Sequence, residues 1–86
     1  MHLYRLYTEN VNYAETVELI ASHFPEGFTL ITGVGHYKGG NEHCLVVDIV
    51  TNDHNNVLNL AYAIKKHNKQ KSVLIYCVVG EMKLVQ

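Results

Sequence analysis

Eighty-six residues suffice for a single domain, 1–86, near the lower end of what folds alone. A hydrophobic content of 48% is high for that length and favours a compact fold that also covers apolar surface by self-association. Seven Lys and Arg against eight Asp and Glu leave a formal charge of −1, which argues against a general nucleic-acid binder with its broad basic surface.

Residues 3–8, LYRLYT, alternate as a strand does. Tyr4 and Leu6 fall on one side, and Leu3, Arg5 and Tyr7 on the other. Residues 9–12 read as a turn. Asn12 followed by Glu15 three places later resembles a capping box. Tyr13, Val17, Ile20, Ala21 and Phe24 then recur at helical spacing. Pro25 ends that helix, and Gly27 permits the sharp turn that follows.

Residues 24–49 read as an antiparallel hairpin, with two apolar runs around a polar, glycine-rich tip. In the first run, 28–38, Phe28, Leu30, Thr32, Val34 and His36 share one face. Thr29, Ile31, Gly33, Gly35 and Tyr37 share the other. Two successive glycines on one face mark a bulge, close packing or a bound ligand. Gly39, Gly40 and Asn41 are expected to make the turn. The second run, 44–50, puts Leu45, Val47 and Ile49 on one face and Cys44, Val46, Asp48 and Val50 on the other. Asp48 interrupts an apolar face, so it lies on the open side of the sheet or pairs with a cation.

Asn52 or Asp53 is expected to cap a second helix, whose apolar stripe is Val57, Leu60, Ala61 and Ile64. Lys65, Lys66 and His67 fall in its last turn, where cations suit the helix dipole. Residues 72–79, SVLIYCVV, read as a fourth strand, apolar on both faces and therefore expected to be buried on both. Gly80 suggests a bend, and 82–85 either an extension of the strand or a reach to a neighbouring subunit. The order β-α-β-β-α-β predicts an α+β, ferredoxin-like fold: a four-stranded antiparallel sheet with both helices on one face.

Chemistry is sparse. Cys44 and Cys77 sit inside apolar runs and are expected to be buried free thiols. The six histidines form no HxxxH or HxH pair, so no metal site is expected, although His36 and His43 flank the hairpin tip. No nucleophile elbow surrounds Ser22 or Ser72. GVGHYKGG is not a GxGxxG fingerprint and precedes a strand rather than a helix, so the phosphate-cradling argument fails. The chain is expected not to be an enzyme and to use no cofactor.

A small nucleotide is easier to accommodate. Tyr37 and Tyr7 offer rings for a base. Lys38 and Arg5 offer cations for phosphates, and Gly39 and Gly40 offer backbone amides. His36, His43 and Gln70 are candidates for reading polar edges. No run reaches the roughly 18 apolar residues of a membrane span, and no signal peptide is recognised, so the expected location is cytoplasmic.

FPEGFT, GHYKG and QKSVL carry a resemblance across residues 3–79. The chain resembles a group of small proteins, many phage-encoded, with an FPxGFT…GxYKG hairpin, and within it the anti-CBASS proteins of T-even phages. The resemblance implies a homo-oligomer that sequesters cyclic di- or trinucleotide second messengers without cleaving them, in the cytoplasm of the host. Such a protein needs no catalytic group and has no membrane or general nucleic-acid partner. The alternative is an inhibitor of a host protein that uses the open sheet face or the hairpin edge.

Overall fold

The computed structural model describes residues 1–78. It contains β1 (His2–Glu9), α1 (Tyr13–His23), β2 (Thr29–Tyr37), β3 (Gly40–Thr51), α2 (His54–Asn68) and β4 (Leu74–Val78). The strands form one antiparallel sheet in the order β2-β3-β1-β4. This is the expected ferredoxin-like arrangement. The expected strand end at 79, the bend at Gly80 and the extension at 82–85 lie outside the described residues.

The core lies between one face of the sheet and the two helices. Tyr4 and Leu6 of β1 and Leu45, Val47 and Ile49 of β3 are buried there, as their alternation requires. Val57, Leu60, Ala61 and Ile64 of α2 meet them, with Ile20 and Phe24 from the α1 side. Each fully buried aliphatic side chain contributes about 1.5–3 kcal/mol, so this cluster is the main reason the sheet closes against its helices.

Local chemistry sets the helix ends, with one departure from expectation. Asp53 caps α2 by accepting from the Asn56 N–H at 3.1 Å. Asn12, in contrast, makes no capping box: it sits in the left-handed region at φ 50° with no side-chain hydrogen bond to the helix. The buried face of α1 also differs from the expected stripe. Thr16, Ile20 and Phe24 turn inward, while Tyr13 stays exposed. Thr16 is tolerated there because its hydroxyl donates to the Val11 carbonyl at 3.3 Å.

The hairpin turn is shorter and earlier than expected. Tyr37 pairs with Gly40, leaving Lys38 and Gly39 as a two-residue loop. Both have positive φ, 50° and 79°, as a type I′ turn demands. Gly40 and Asn41 therefore belong to β3, which runs four residues longer at its start than its apolar run suggests. The pairing of β2 with β3 is unbroken, so Gly33 and Gly35 mark no bulge.

The fourth strand overturns the expectation of two buried faces. Among the described strands β4 lies at the edge, and Leu74 and Tyr76 are exposed on the face away from the helices. Ile75 packs against the core, but Cys77 is exposed and Cys44 is half-buried, so neither thiol is the buried group its apolar run implied. The apolar composition of β4 instead extends a largely apolar surface across the helix-free face. There, Leu74, Tyr7, Val46 and Ile31 lie in one cross-strand row.

Candidate ligand-binding groove

Beyond the end of β1 the β2–β3 hairpin continues with no partner strand on that side among the described residues. A groove of about 820 Å³ opens under this overhang. One wall is the hairpin, with Gly35, His36 and Tyr37 on β2 and Glu42, His43 and Cys44 on β3. The floor is the end of β1, from Tyr7 to Glu9, with Leu74 of β4. The opposite wall is the loop between α2 and β4, from Lys69 to Ser72.

Tyr7, His36, Tyr37, His43 and Gln70 thus meet at one groove, although they come from β1, both hairpin strands and the α2–β4 loop. Tyr37 is 65% exposed and Tyr7 is 39% exposed, so both rings are open to a planar ligand. The Lys38 ammonium lies 5.3 Å from the Tyr37 ring centroid, a cation–π contact at the hairpin tip. His36 Nδ1–H donates to Asn41 Oδ1 at 3.1 Å. His36 and His43 share a face of the hairpin but sit diagonally, opposite Asn41 and Val34 respectively. No group of three or more metal-ligating side chains occurs among the described residues.

Arg5, Lys38, Gly39 and Gly40 do not line the groove. Arg5 lies on the helix-free face and is held by Asp48: its Nε and Nη2 each donate to one carboxylate oxygen at 2.7 Å. Asp48 is therefore both on the open side and paired with a cation.

Gln70 has a structural task as well as a place in the groove wall. It is buried, and its Oε1 accepts from the Thr8 hydroxyl at 2.8 Å and from Asn68 Nδ2 at 3.2 Å. Its Nε2 donates to the Ser72 carbonyl at 2.7 Å. The α2–β4 loop is thereby fastened to the end of β1.

Sequence reasoning missed Glu9, Glu42, Lys69 and Lys71, which also line the groove. The signal for the lysines was present: KKHNKQK, residues 65–71, holds four of the chain's seven cations. Their nearness to the hairpin depends on the strand order.

No protein-family model and no curated protein matches the sequence. The fold does match solved structures. A DUF3240 family protein from Shewanella baltica aligns with TM-score 0.76 at 16% identity, over 99% of this chain and 94% of that one. A phage SAM lyase in its apo state aligns with TM-score 0.70 at 15% identity, over 96% and 92%. CPII, a nitrogen regulatory PII-like protein from Thiomonas intermedia bound to ADP, AMP and bicarbonate, aligns with TM-score 0.64 at 13% identity, over 95% and 94%. At these identities the likeness is one of fold.

Proposed function

We propose that this chain is a nucleotide-binding protein that takes up a small anionic nucleotide in the groove and releases it uncleaved. The observation that carries the reading is the composition of the groove: an exposed tyrosine ring on the hairpin wall, Tyr37, a second on the floor, Tyr7, and two lysines on the opposite wall. Rings stack on bases, and cations meet phosphates. A groove of about 820 Å³ is large enough for one nucleotide and open enough to admit a larger one. The fold it shares with a protein bound to ADP and AMP supports the same reading.

The finer form draws on the chain's small size and its resemblance to small phage-encoded proteins. The ligand is a cyclic di- or trinucleotide second messenger, and holding it keeps CBASS-type effectors of the host inactive. The protein is a phage anti-defence sponge in the host cytoplasm, and a homo-oligomer. The apolar rows of the helix-free face are assigned to its self-association.

A second reading has its own support. Glu9 and Glu42 line the groove beside the tyrosine rings, and carboxylates with aromatic faces suit a cationic ligand. The phage SAM lyase shares the fold. In this reading the ligand is S-adenosylmethionine, with its sulfonium near the carboxylates.

Isothermal titration with cyclic dinucleotides, cyclic trinucleotides, ADP and S-adenosylmethionine separates the readings, followed by chromatography of the recovered ligand. Tight binding of a cyclic nucleotide recovered intact is the expected result. Binding of S-adenosylmethionine alone supports the second reading, and cleaved product makes the protein an enzyme. Tyr37→Ala should weaken nucleotide binding by roughly 1–3 kcal/mol, the worth of one base–ring stack. Unchanged affinity in the folded variant rules out that role for the ring.

A further inference from the structure

We infer that the corner between α2 and β4 is an anion site, formed by Lys69 and Lys71 and extended by Lys65 and Lys66, that takes the phosphate groups of the ligand. The inference rests on the nucleotide reading for the ligand's identity and reassigns which end of the groove its phosphates occupy. The two cations suggested by sequence for this task are elsewhere. Arg5 spends two of its donors on Asp48, and Lys38 leans on the Tyr37 ring outside the groove.

The corner has the missing charge. Lys65, Lys66, Lys69 and Lys71 are all exposed. The one ion pair among the described residues is Arg5–Asp48, so none of these lysines is neutralised by a described carboxylate within salt-bridge distance. Lys69 and Lys71 line the groove, and a shallow hollow lined by Tyr62, Lys65 and Lys66 continues from Lys69 over the outside of α2.

The corner is also built to hold its shape. Gln70, between the two groove lysines, is buried and tied to Thr8, Asn68 and Ser72. Its side chain fixes the loop while its neighbours on either side project their charges. A helix C-terminus ordinarily presents carbonyl oxygens that repel anions. Here the Lys65 carbonyl accepts from the Gln70 N–H at 3.1 Å and the Lys66 carbonyl from the Lys69 N–H at 3.3 Å, so both are occupied. Glu42, on the hairpin wall, disfavours phosphate at that side. The charges therefore give the ligand a direction, with its base toward Tyr37 on the hairpin and its phosphates toward the corner.

The experiment uses the full chain and two kinds of probe. Inorganic tripolyphosphate is titrated while backbone amide shifts are followed by NMR. Adenosine, AMP and ADP are titrated calorimetrically into the wild type and into Lys69→Gln/Lys71→Gln. Tripolyphosphate should shift amides of residues 65–72, and affinity should rise from adenosine to ADP. The double variant should lose that rise, by about tenfold or more in Kd for ADP, as expected when charged hydrogen bonds are removed. Lys69→Arg/Lys71→Arg should retain it. ADP binding that survives the Gln variant unchanged, or tripolyphosphate shifts elsewhere, overturns the corner and leaves the nucleotide reading standing. Tripolyphosphate on residues 65–72 with no nucleotide binding supports the corner and removes the nucleotide reading. Silence from every probe overturns both.

Discussion

Arg5 and Asp48 lie directly opposite each other across β1 and β3, joined by two parallel hydrogen bonds of 2.7 Å. The pair is flanked by Tyr76 on β4 and Thr29 on β2, within a face otherwise rich in apolar side chains. Asp48, with the Tyr7 hydroxyl adding to it, raises the Arg5 pKa above its already high ordinary value. That contribution is complete at every pH below the ordinary guanidinium value and is lost only as pH rises through the raised one, so Arg5 adds no pH dependence near neutrality.

Asp48→Asn should therefore lower the melting temperature, because it leaves a cation on the sheet face with a weakened partner. Arg5→Gln should do the same while changing nucleotide affinity little. The loss should shrink as salt is raised, since the pair is partly exposed. Melting curves at low and high salt read this out, and an unchanged midpoint in both variants would remove the pair from the account of stability.

Tyr4 gives a prediction at alkaline pH. Burial, followed by the neighbouring Cys77 thiol, raises its phenol pKa. The neutral ring is favoured in the fold, so its contribution is complete below the ordinary value of about 10 and is lost as pH rises through the raised one. Stability should fall steeply above pH ~10, and less steeply in Tyr4→Phe. Urea unfolding at a series of alkaline pH values measures both slopes. Equal slopes would mean that other groups drive the loss.

Gln70→Ala should destabilise by about 1–3 kcal/mol, the cost of leaving a buried polar group without its partner. Of the three partners left behind, the buried one is the Thr8 hydroxyl, which donates to Gln70 at 2.8 Å. Adding Thr8→Val removes that hydroxyl and should recover part of the loss. A double variant no more stable than Gln70→Ala would argue against the contact as the cause.

Self-association through the helix-free face predicts a mass above the monomer in sedimentation equilibrium. Ile31 is 47% exposed and Leu74 63% exposed in the same cross-strand row. Ile31→Asp should shift the protein toward monomer without unfolding it, because neither residue belongs to the core. A wild-type protein that sediments as a monomer would free this face for another partner.

Much of the fold was legible in the sequence because it rests on local periodicity. Leu45, Val47 and Ile49 announce a half-buried strand by alternation, and Val57, Leu60, Ala61 and Ile64 announce a helix by their spacing. Asp53 ahead of α2 was a readable cap. Where local reading failed, the third dimension had decided. Asn12 resembled a cap, but its backbone lies in the left-handed region and its side chain bonds nothing in the helix. β4 looked doubly buried from its composition, yet the helices cover one face of the sheet and leave Leu74 and Tyr76 exposed on the other.

The chain by itself determined the elements, their order and the residue types at the hairpin tip, because these depend on contacts between near neighbours. Tertiary structure decided which of those residues share a site. Tyr37 and Lys69 are far apart in sequence and line one groove, since β3 lies beside β1 and the α2–β4 loop turns at the end of β1. Arg5 is kept from the groove for the same reason: pairing β1 with β3 sets Asp48 opposite it, and a charge placed beside its opposite on a partly buried face is held there.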